Sequence, residues 1–308
     1  MWNALHEAFS GQLEPSAARS VFVNIRLPRL LLGAAAGAAL GLSGALMQGL
    51  FRNPLADPGL IGVSSGAALA AGITIVLGSR WFPDLPRTLG SWTLVATAFA
   101  GSLAVTLLVY ALSRQGGSTR VGLMLLAGIA VNALAGAGLG FLTFLATDEQ
   151  LRSIQFWLLG SLGAARWSAV GLVCGVVAVA IAAGLTLARP LNAIALGEAQ
   201  AAMLGVAVER AQRWAVVVTA LAVGAVTATT GIIGFIGLVA PHCVRLIAGP
   251  DHRIVLPGSA LLGAALVLVA DTVARTAVKP AELPLGVLTA FVGVPFFLML
   301  LRHFRGRL

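Results

Sequence analysis

The sequence predicts an all-α polytopic membrane protein, and three observations carry that prediction. Hydrophobic residues make up 58% of the 308-residue chain, charged residues 10%, and mean hydropathy is +0.95. A soluble domain carries about 25% charge. The apolar residues run continuously over lengths near the roughly 20 residues that a spanning helix needs. Only helices and closed barrels satisfy all their backbone groups inside lipid. These runs are too long and too continuous for barrel strands of about 10 alternating residues.

Taken in order, residues 1–29 lack an apolar core long enough for a cleavable signal and are read as a leader. Residues 30–308 form the transmembrane domain, with apolar segments at 30–50, 60–78, 89–112, 121–145, 167–188, 214–230, 232–248, 255–278 and 285–301. In the first segment Gly33, Gly37 and Gly41 repeat every four residues, which predicts close helix packing on that face. The fourth carries a similar stripe, Gly128, Asn132, Gly136 and Gly140. A polar group such as Asn132 in mid-membrane either bonds a neighbouring helix or faces a watery cavity. Residues 149–163 place Leu151, Ile154, Trp157 and Leu158 at helical spacing around Arg152 and Gln155, the pattern of a helix lying at the interface. Residues 191–208 form a second short amphipathic stretch, rich in alanine and opening near Pro190 and Asn192. The sixth and seventh segments nearly touch at Gly231, where glycine's tolerance of positive φ predicts a tight out-and-back turn. In the eighth, Asp271 and Arg275 stand four residues apart and are predicted to pair.

Orientation follows from the basic residues of the loops. Arg52, Arg114, Arg120, Arg189, Arg210, Arg213, Arg245, Arg253 and the C-terminal arginines fall on one side, which is placed in the cytoplasm. Arg80, Arg87, Arg152, Arg166, Arg275 and Lys279 fall outside, together with Arg19, Arg26 and Arg29 of the leader. The formal charge of +9 does not point to nucleic acid. The arginines are scattered between apolar runs rather than gathered into a patch.

The chain lacks the parts that would power or catalyse a reaction. A phosphate-binding loop needs a GxxxxGK run, and the single lysine, Lys279, sits in Thr-Ala-Val-Lys-Pro. HExxH and paired-cysteine sites are missing too. Cys174 and Cys243 lie inside apolar segments and read as small hydrophobes without disulfide or metal. The four histidines are dispersed, and His242, after Pro241, reads as a helix-end contact. Ion coupling would want unpaired intramembrane carboxylates, and Asp271 already has Arg275. A membrane protein without its own energy source points to a partner that supplies one.

Specific runs then become informative. Ile-Arg-Leu-Pro-Arg at 25–29, Gly-Ala-Leu-Met-Gln at 44–48 and Asn-Pro-Leu-Ala-Asp-Pro-Gly-Leu-Ile-Gly-Val at 53–63 resemble the FecCD-type permeases. So do Ala-Leu-Gly-Glu at 195–198, Gly-Phe-Ile-Gly-Leu-Val-Ala-Pro-His at 234–242, Asp-His-Arg at 251–253 and Glu-Leu-Pro-Leu-Gly-Val at 282–287. Those permeases are the membrane subunits of importers for iron–siderophore complexes, heme and cobalamin. The motifs occur in order from about residue 20 to the end.

The resemblance implies a FecCD/cobalamin-permease-like helical bundle in the bacterial inner membrane. It implies a homodimer with two cytoplasmic ATPase subunits, which bind ATP and Mg, and a periplasmic binding protein. It also implies ten spanning helices arranged partly as inverted repeats, of which residues 30–145 and 214–303 give a faint echo. Nine are visible here; the family's first helix has no counterpart before residue 25.

Residue roles follow by similarity. Arg26, Arg29 and Arg275 would meet acidic residues of the binding protein. Asn53, Leu55, Ser118 and Thr119 match the cytoplasmic gate; from the residues alone, Ser118 or Thr119 serves equally as a helix N-cap. Gly197, Glu198, Ala202 and Gly205 match the helices that contact the ATPase. The runs at 126–136, 148–152 and 156–162 look most like the heme-import branch, which puts Asn132 and Arg152 on the translocation path. Arg152 would then attract heme propionates, or else anchor the interface with its stem. Siderophore or cobalamin import is the alternative within the family; outside it stand an ion-coupled secondary transporter and a membrane scaffold without transport.

Overall fold

The computed structural model describes residues 17–78, 90–115, 118–278 and 281–305. Arg80, Arg87 and Lys279, used for orientation, lie outside the described residues.

The chain enters through α1 (Ala17–Val21), one π-helical turn (Phe22–Arg26) and α2 (Leu27–Phe51). These run on as one rod, Arg19–Phe51, of 33 residues. At about 1.5 Å per residue it reaches some 50 Å, well beyond the hydrocarbon layer. The structure therefore has no break at residue 29, where the leader was expected to end. The apolar Val21, Phe22, Val23 and Ile25 let the helix start earlier.

Helix α2 is the axis of the bundle, with 78% of its apolar window buried. Its glycines and alanines are the cause, because a helix that is apolar all round and carries few bulky side chains can be enclosed on every side. The predicted glycine face packs on α12 (His252–Thr276): a Cβ at Gly37 would overlap the Gly263 carbonyl, and one at Gly41 the Ser259 carbonyl. Gly44 meets Gly237 of α11 (Ile236–Ala248) in the same way. The helix ends at Arg52, which turns left-handed at φ 50°.

A 3-10 turn (Pro58–Ile61), capped by Asp57 accepting from Gly59 N at 2.7 Å, leads into the short α3 (Val63–Val76). Helices α4 (Trp92–Leu112) and α5 (Val121–Leu145) are joined by a two-strand hairpin, β1 (Arg114–Gln115) and β2 (Ser118–Thr119). Only 22% of the apolar window of each is buried, as suits lipid-facing or partner-facing helices. The helix expected at the interface is α6 (Asp148–Leu159), opened by a capping box between Thr147 and Gln150.

Helix α7 (Trp167–Thr186) returns to the opposite side, where the amphipathic stretch divides into α8 (Ala188–Ala195) and α9 (Glu198–Met203). The break is Gly197, at φ 123°. Helix α10 (Val208–Thr230) is the second enclosed helix, 72% buried. Gly231, at φ 74°, ends it as the sequence predicts, but residues 231–235 stay non-helical before α11. Irregular backbone at membrane depth needs protein around it. Here Thr230 O accepts from Ser161 N at 2.7 Å and Gly160 O accepts from Leu285 N at 3.0 Å, which knots the ends of α6, α10 and α13 (Leu285–Arg305). Among the described residues six helices are long and apolar enough to cross a membrane, and Val63–Val76, Ile236–Ala248 and Leu285–Met299 are shorter apolar helices.

Candidate functional site

At the end expected to face outward, the rod formed by α1 and α2 carries Arg26 exposed and Arg29 turned inward. Arg29 donates Nη2 to Asp271 at 2.8 Å and to Glu282 at 2.9 Å, with Nε also on Asp271 at 3.0 Å. Arg275 Nε donates to the other Asp271 oxygen at 3.1 Å, the pairing predicted from their spacing. Asp271 is 2% exposed, so its charge is held by two guanidinium groups that straddle it. Arg29 is thus engaged within the chain, and Arg26 is the freer of the leader arginines to meet a partner. Glu282, the second partner of Arg29, sits in the loop outside the spans, and the hydrogen bond from Arg29 holds its carboxyl below the usual carboxylate range. A depressed carboxylate pKa stabilises the fold above its unfolded value and loses that contribution as pH falls through the folded value. Melting of the wild type is therefore expected to become acid-sensitive below about pH 4, and Glu282→Gln to show a flatter profile in the same titration.

In mid-membrane, Asn132 resolves its two readings in favour of neighbouring segments. Its Oδ1 accepts from Ser65 Oγ at 2.5 Å and its Nδ2 donates to Gly59 O at 3.1 Å. It pins α5 to α3 and to the 3-10 turn. The glycine stripe around it divides: Gly128 packs on the Leu60 carbonyl, whereas a Cβ at Gly136 or Gly140 would meet nothing within 4 Å. Arg152 is exposed on α6, away from Asn132's bonds.

The expected gate residues occupy two turns at the end of the bundle expected to face the cytoplasm. Asn53 Oδ1 accepts from Leu55 N at 2.9 Å, closing the turn after α2. Ser118 pairs with Gln115 across the hairpin. Neither Ser118 nor Thr119 caps α5; the N-cap is Arg120, without a side-chain bond. Thr119 is instead 4% exposed and held by Glu209, whose Oε2 accepts from Thr119 N at 2.8 Å and Oε1 from Thr119 Oγ1 at 2.8 Å.

The elbow formed by α8 and α9 projects its apolar side chains. Leu196 is 67% exposed, Met203 89% and Leu204 65%. Gly197 and Gly205 turn the chain at either end of α9, Gly205 at φ 81°. Glu198 accepts from Gln212 Nε2 at 3.2 Å, tying the elbow to α10, and Ala202 lies on the exposed surface.

Glu209 and the bonds of Gln48 and Asn192 escaped the sequence reading, and His242 lies within α11 rather than at its end. Glu209 also accepts from the phenol of Tyr110 at 3.1 Å, with Arg114 Nε 4.0 Å away. The buried Gln48 bonds Arg245 and reaches the carbonyls of Gly237 and Leu238, joining α2 to α11. Asn192 bonds both Asp251 at 2.6 Å and His252 N at 2.9 Å. His242 packs edge-on against Phe296, ring centroids 5.8 Å apart. Among the described residues no group of three or more His, Cys, Asp or Glu is placed to hold a metal.

Among the described residues, the polar side chains of this multi-helix bundle fasten loops and helix ends. The chain belongs to the FecCD transport family, whose model matches residues 1–303. It is 49% identical over 281 residues to the hemin transport system permease protein HmuU of Yersinia pestis, covering 91% of this chain and 83% of that protein. It is 44% identical over 305 residues to the cobalamin import system permease protein BtuC of Halobacterium salinarum, covering 98% and 79%. A solved structure described as an inward-facing conformation of a metal-chelate type ABC transporter superposes with a TM-score of 0.85. It is 31% identical and is matched over 95% of this chain and 91% of that one.

Proposed function

We propose that the chain is the permease subunit of an ATP-driven importer that moves heme across the bacterial inner membrane. The observation that carries this reading is the 49% identity to a hemin permease along nearly the whole chain. Two copies form the passage between them, with the exposed apolar faces of α5 and α13 available for the contact. Leu134 is 71% exposed and Phe291 74%. Two cytoplasmic ATPase subunits bind ATP and Mg and press on the elbow of α8 and α9. A periplasmic heme-binding protein docks on the outer face, and Arg152 draws heme propionates toward the mouth. Binding and hydrolysis of ATP shift the pair between outward- and inward-open states through different affinities for the two. The turns at Asn53, Leu55, Ser118 and Thr119 close the cytoplasmic end, and Asn132 keeps α5 in register beside the path.

Cobalamin is the second reading, favoured by the 44% identity to a cobalamin permease over 98% of this chain. Uptake into vesicles holding the permease, ATPase and each matching binding protein separates them. Hemin accumulation above that of cyanocobalamin or a ferric siderophore is expected; the reverse order gives the second reading.

Charge supplies the outer contact. Arginine forks favour oriented encounter with carboxylates. Arg26→Glu is expected to weaken binding-protein affinity about tenfold at low ionic strength without lowering the melting temperature, because Arg26 is exposed. Unchanged affinity in a binding titration refutes the docking role. At the inner face, replacing Glu198 with alanine and Gly205 with valine is expected to leave ATP hydrolysis running while uptake stops. Valine is disfavoured at the φ of 81° that Gly205 adopts. Retained coupling, measured as cargo moved per ATP, contradicts the assignment of the elbow.

A further inference from the structure

We infer that Glu209 is a positioning residue that fastens the gate hairpin to the ATPase-facing elbow, so that the two move as one body. The inference rests on the proposed roles of those two segments and adds the link between them. Glu209 lies in the first turn of α10, four positions after Gly205, where the elbow ends. Its carboxylate takes three hydrogen bonds from residues about 90 to 100 positions earlier: Thr119 N and Oγ1, each at 2.8 Å, and the Tyr110 phenol at 3.1 Å. Bonds to an ionised acceptor are short and roughly twice as strong as neutral ones. One bond to the backbone and one to the side chain of the same threonine fix the hairpin's orientation as well as its distance. Tyr110, at the end of α4, joins the same carboxylate, so both strands' supports are included.

The other half of the link lies less than one turn further along α10. Gln212, 1% exposed, donates to Glu198 of the elbow at 3.2 Å. The elbow is itself closed by Val206 N donating to Ala201 O at 3.0 Å. The first turn of α10 therefore grips the elbow with Gln212 and the hairpin with Glu209. A push on the elbow displaces this turn, and a short, ion-assisted tether carries the displacement to the hairpin as a rigid-body shift. Without the carboxylate the elbow still contacts its partner, but the hairpin is free of it.

The test compares the wild type with Glu209→Ala and Glu209→Gln in the full complex in proteoliposomes. Glu209→Ala is expected to keep ATP hydrolysis within about twofold while uptake falls about tenfold. Glu209→Gln, which keeps an acceptor oxygen for Thr119, is expected to recover part of the uptake. Spin labels at Gln115→Cys and Ala202→Cys, in a chain carrying Cys174→Ser and Cys243→Ser, read the tether itself. The hairpin–elbow distance is expected to stay narrow with and without ATP in the wild type and to broaden in Glu209→Ala. A narrow distribution in Glu209→Ala, or normal uptake, overturns the inference. A fall in melting temperature with an unchanged distance overturns it too, since that marks Glu209 as stabilising only. If the Glu198 and Gly205 double variant uncouples while Glu209→Ala transports normally, the tether falls and the functional reading stands. If wild-type uptake needs no ATPase, the functional reading falls and takes the tether with it.

Discussion

Gly37→Leu is expected to prevent the chain from folding to a monodisperse, detergent-stable protein. Gly37 lies at the centre of α2, and a Cβ there would overlap the Gly263 carbonyl and approach the Ala264 Cα. The obstacle is backbone on both sides, so no rotamer change relieves it. Overpacking in a yielding core costs about 1–3 kcal/mol; here the crossing of α2 and α12 must itself open, and the cost exceeds that range. The seam also places Gly41 against Ser259 and Gly44 against Gly237, so one displaced crossing disturbs both α11 and α12. Gly175→Leu on α7 is the control, because a Cβ at Gly175 meets nothing within 4 Å. Size-exclusion profiles and melting curves are expected to show aggregate for the first variant and a native peak for the second. Equal behaviour of the two contradicts the packing argument.

The second large effect belongs to Arg29. Arg29→Ala removes the guanidinium that contacts both oxygens of Asp271 and leaves that carboxylate, 2% exposed, with Arg275 alone. Breaking a buried ion pair from one side costs about 3–5 kcal/mol. The remaining Arg275 contact and the partial exposure of Arg29 put the expected loss near the lower bound, about 3 kcal/mol. Adding Asp271→Asn removes the uncompensated charge, so the double variant is expected to regain part of the melting temperature. Additive losses in that cycle contradict the ion-pair account. Two roles are expected to separate: Arg29→Ala lowers stability, whereas Arg26→Glu weakens the proposed docking.

The lengths of apolar runs made the spans legible, and residues 121–145 are helical from end to end. Features set by neighbours in the chain were legible too: the Asp271–Arg275 pair, the helix end at Gly231 and the glycine face of α2, though five non-helical residues stand where a tight turn was expected. What sequence reading left open or missed depends on residues far apart. Asn132 had two readings because Ser65, which decides between them, lies 67 positions earlier. Arg29 reads as an outward arginine until Asp271 arrives 242 positions later. Glu209 gave only the weak signal of an acid opening an apolar helix, since its partners Thr119 and Tyr110 belong to other segments. The seventh span starts later than its apolar run because Phe235 takes a left-handed φ of 67°, which side-chain hydropathy does not register. The family motifs compensated for part of this. They suggested a gate and an ATPase contact by position, and gave no sign of the Glu209 bonds between those segments.

On the proposed reading, this chain supplies the passage while a separate protein supplies the power. Proteoliposomes containing the permease pair, its ATPase and the heme-loaded binding protein test it most directly. Hemin is predicted to accumulate only when ATP, the ATPase and the binding protein are all present, and to stop when the ATPase is omitted. Accumulation by the permease alone, driven by a proton or sodium gradient, would contradict it.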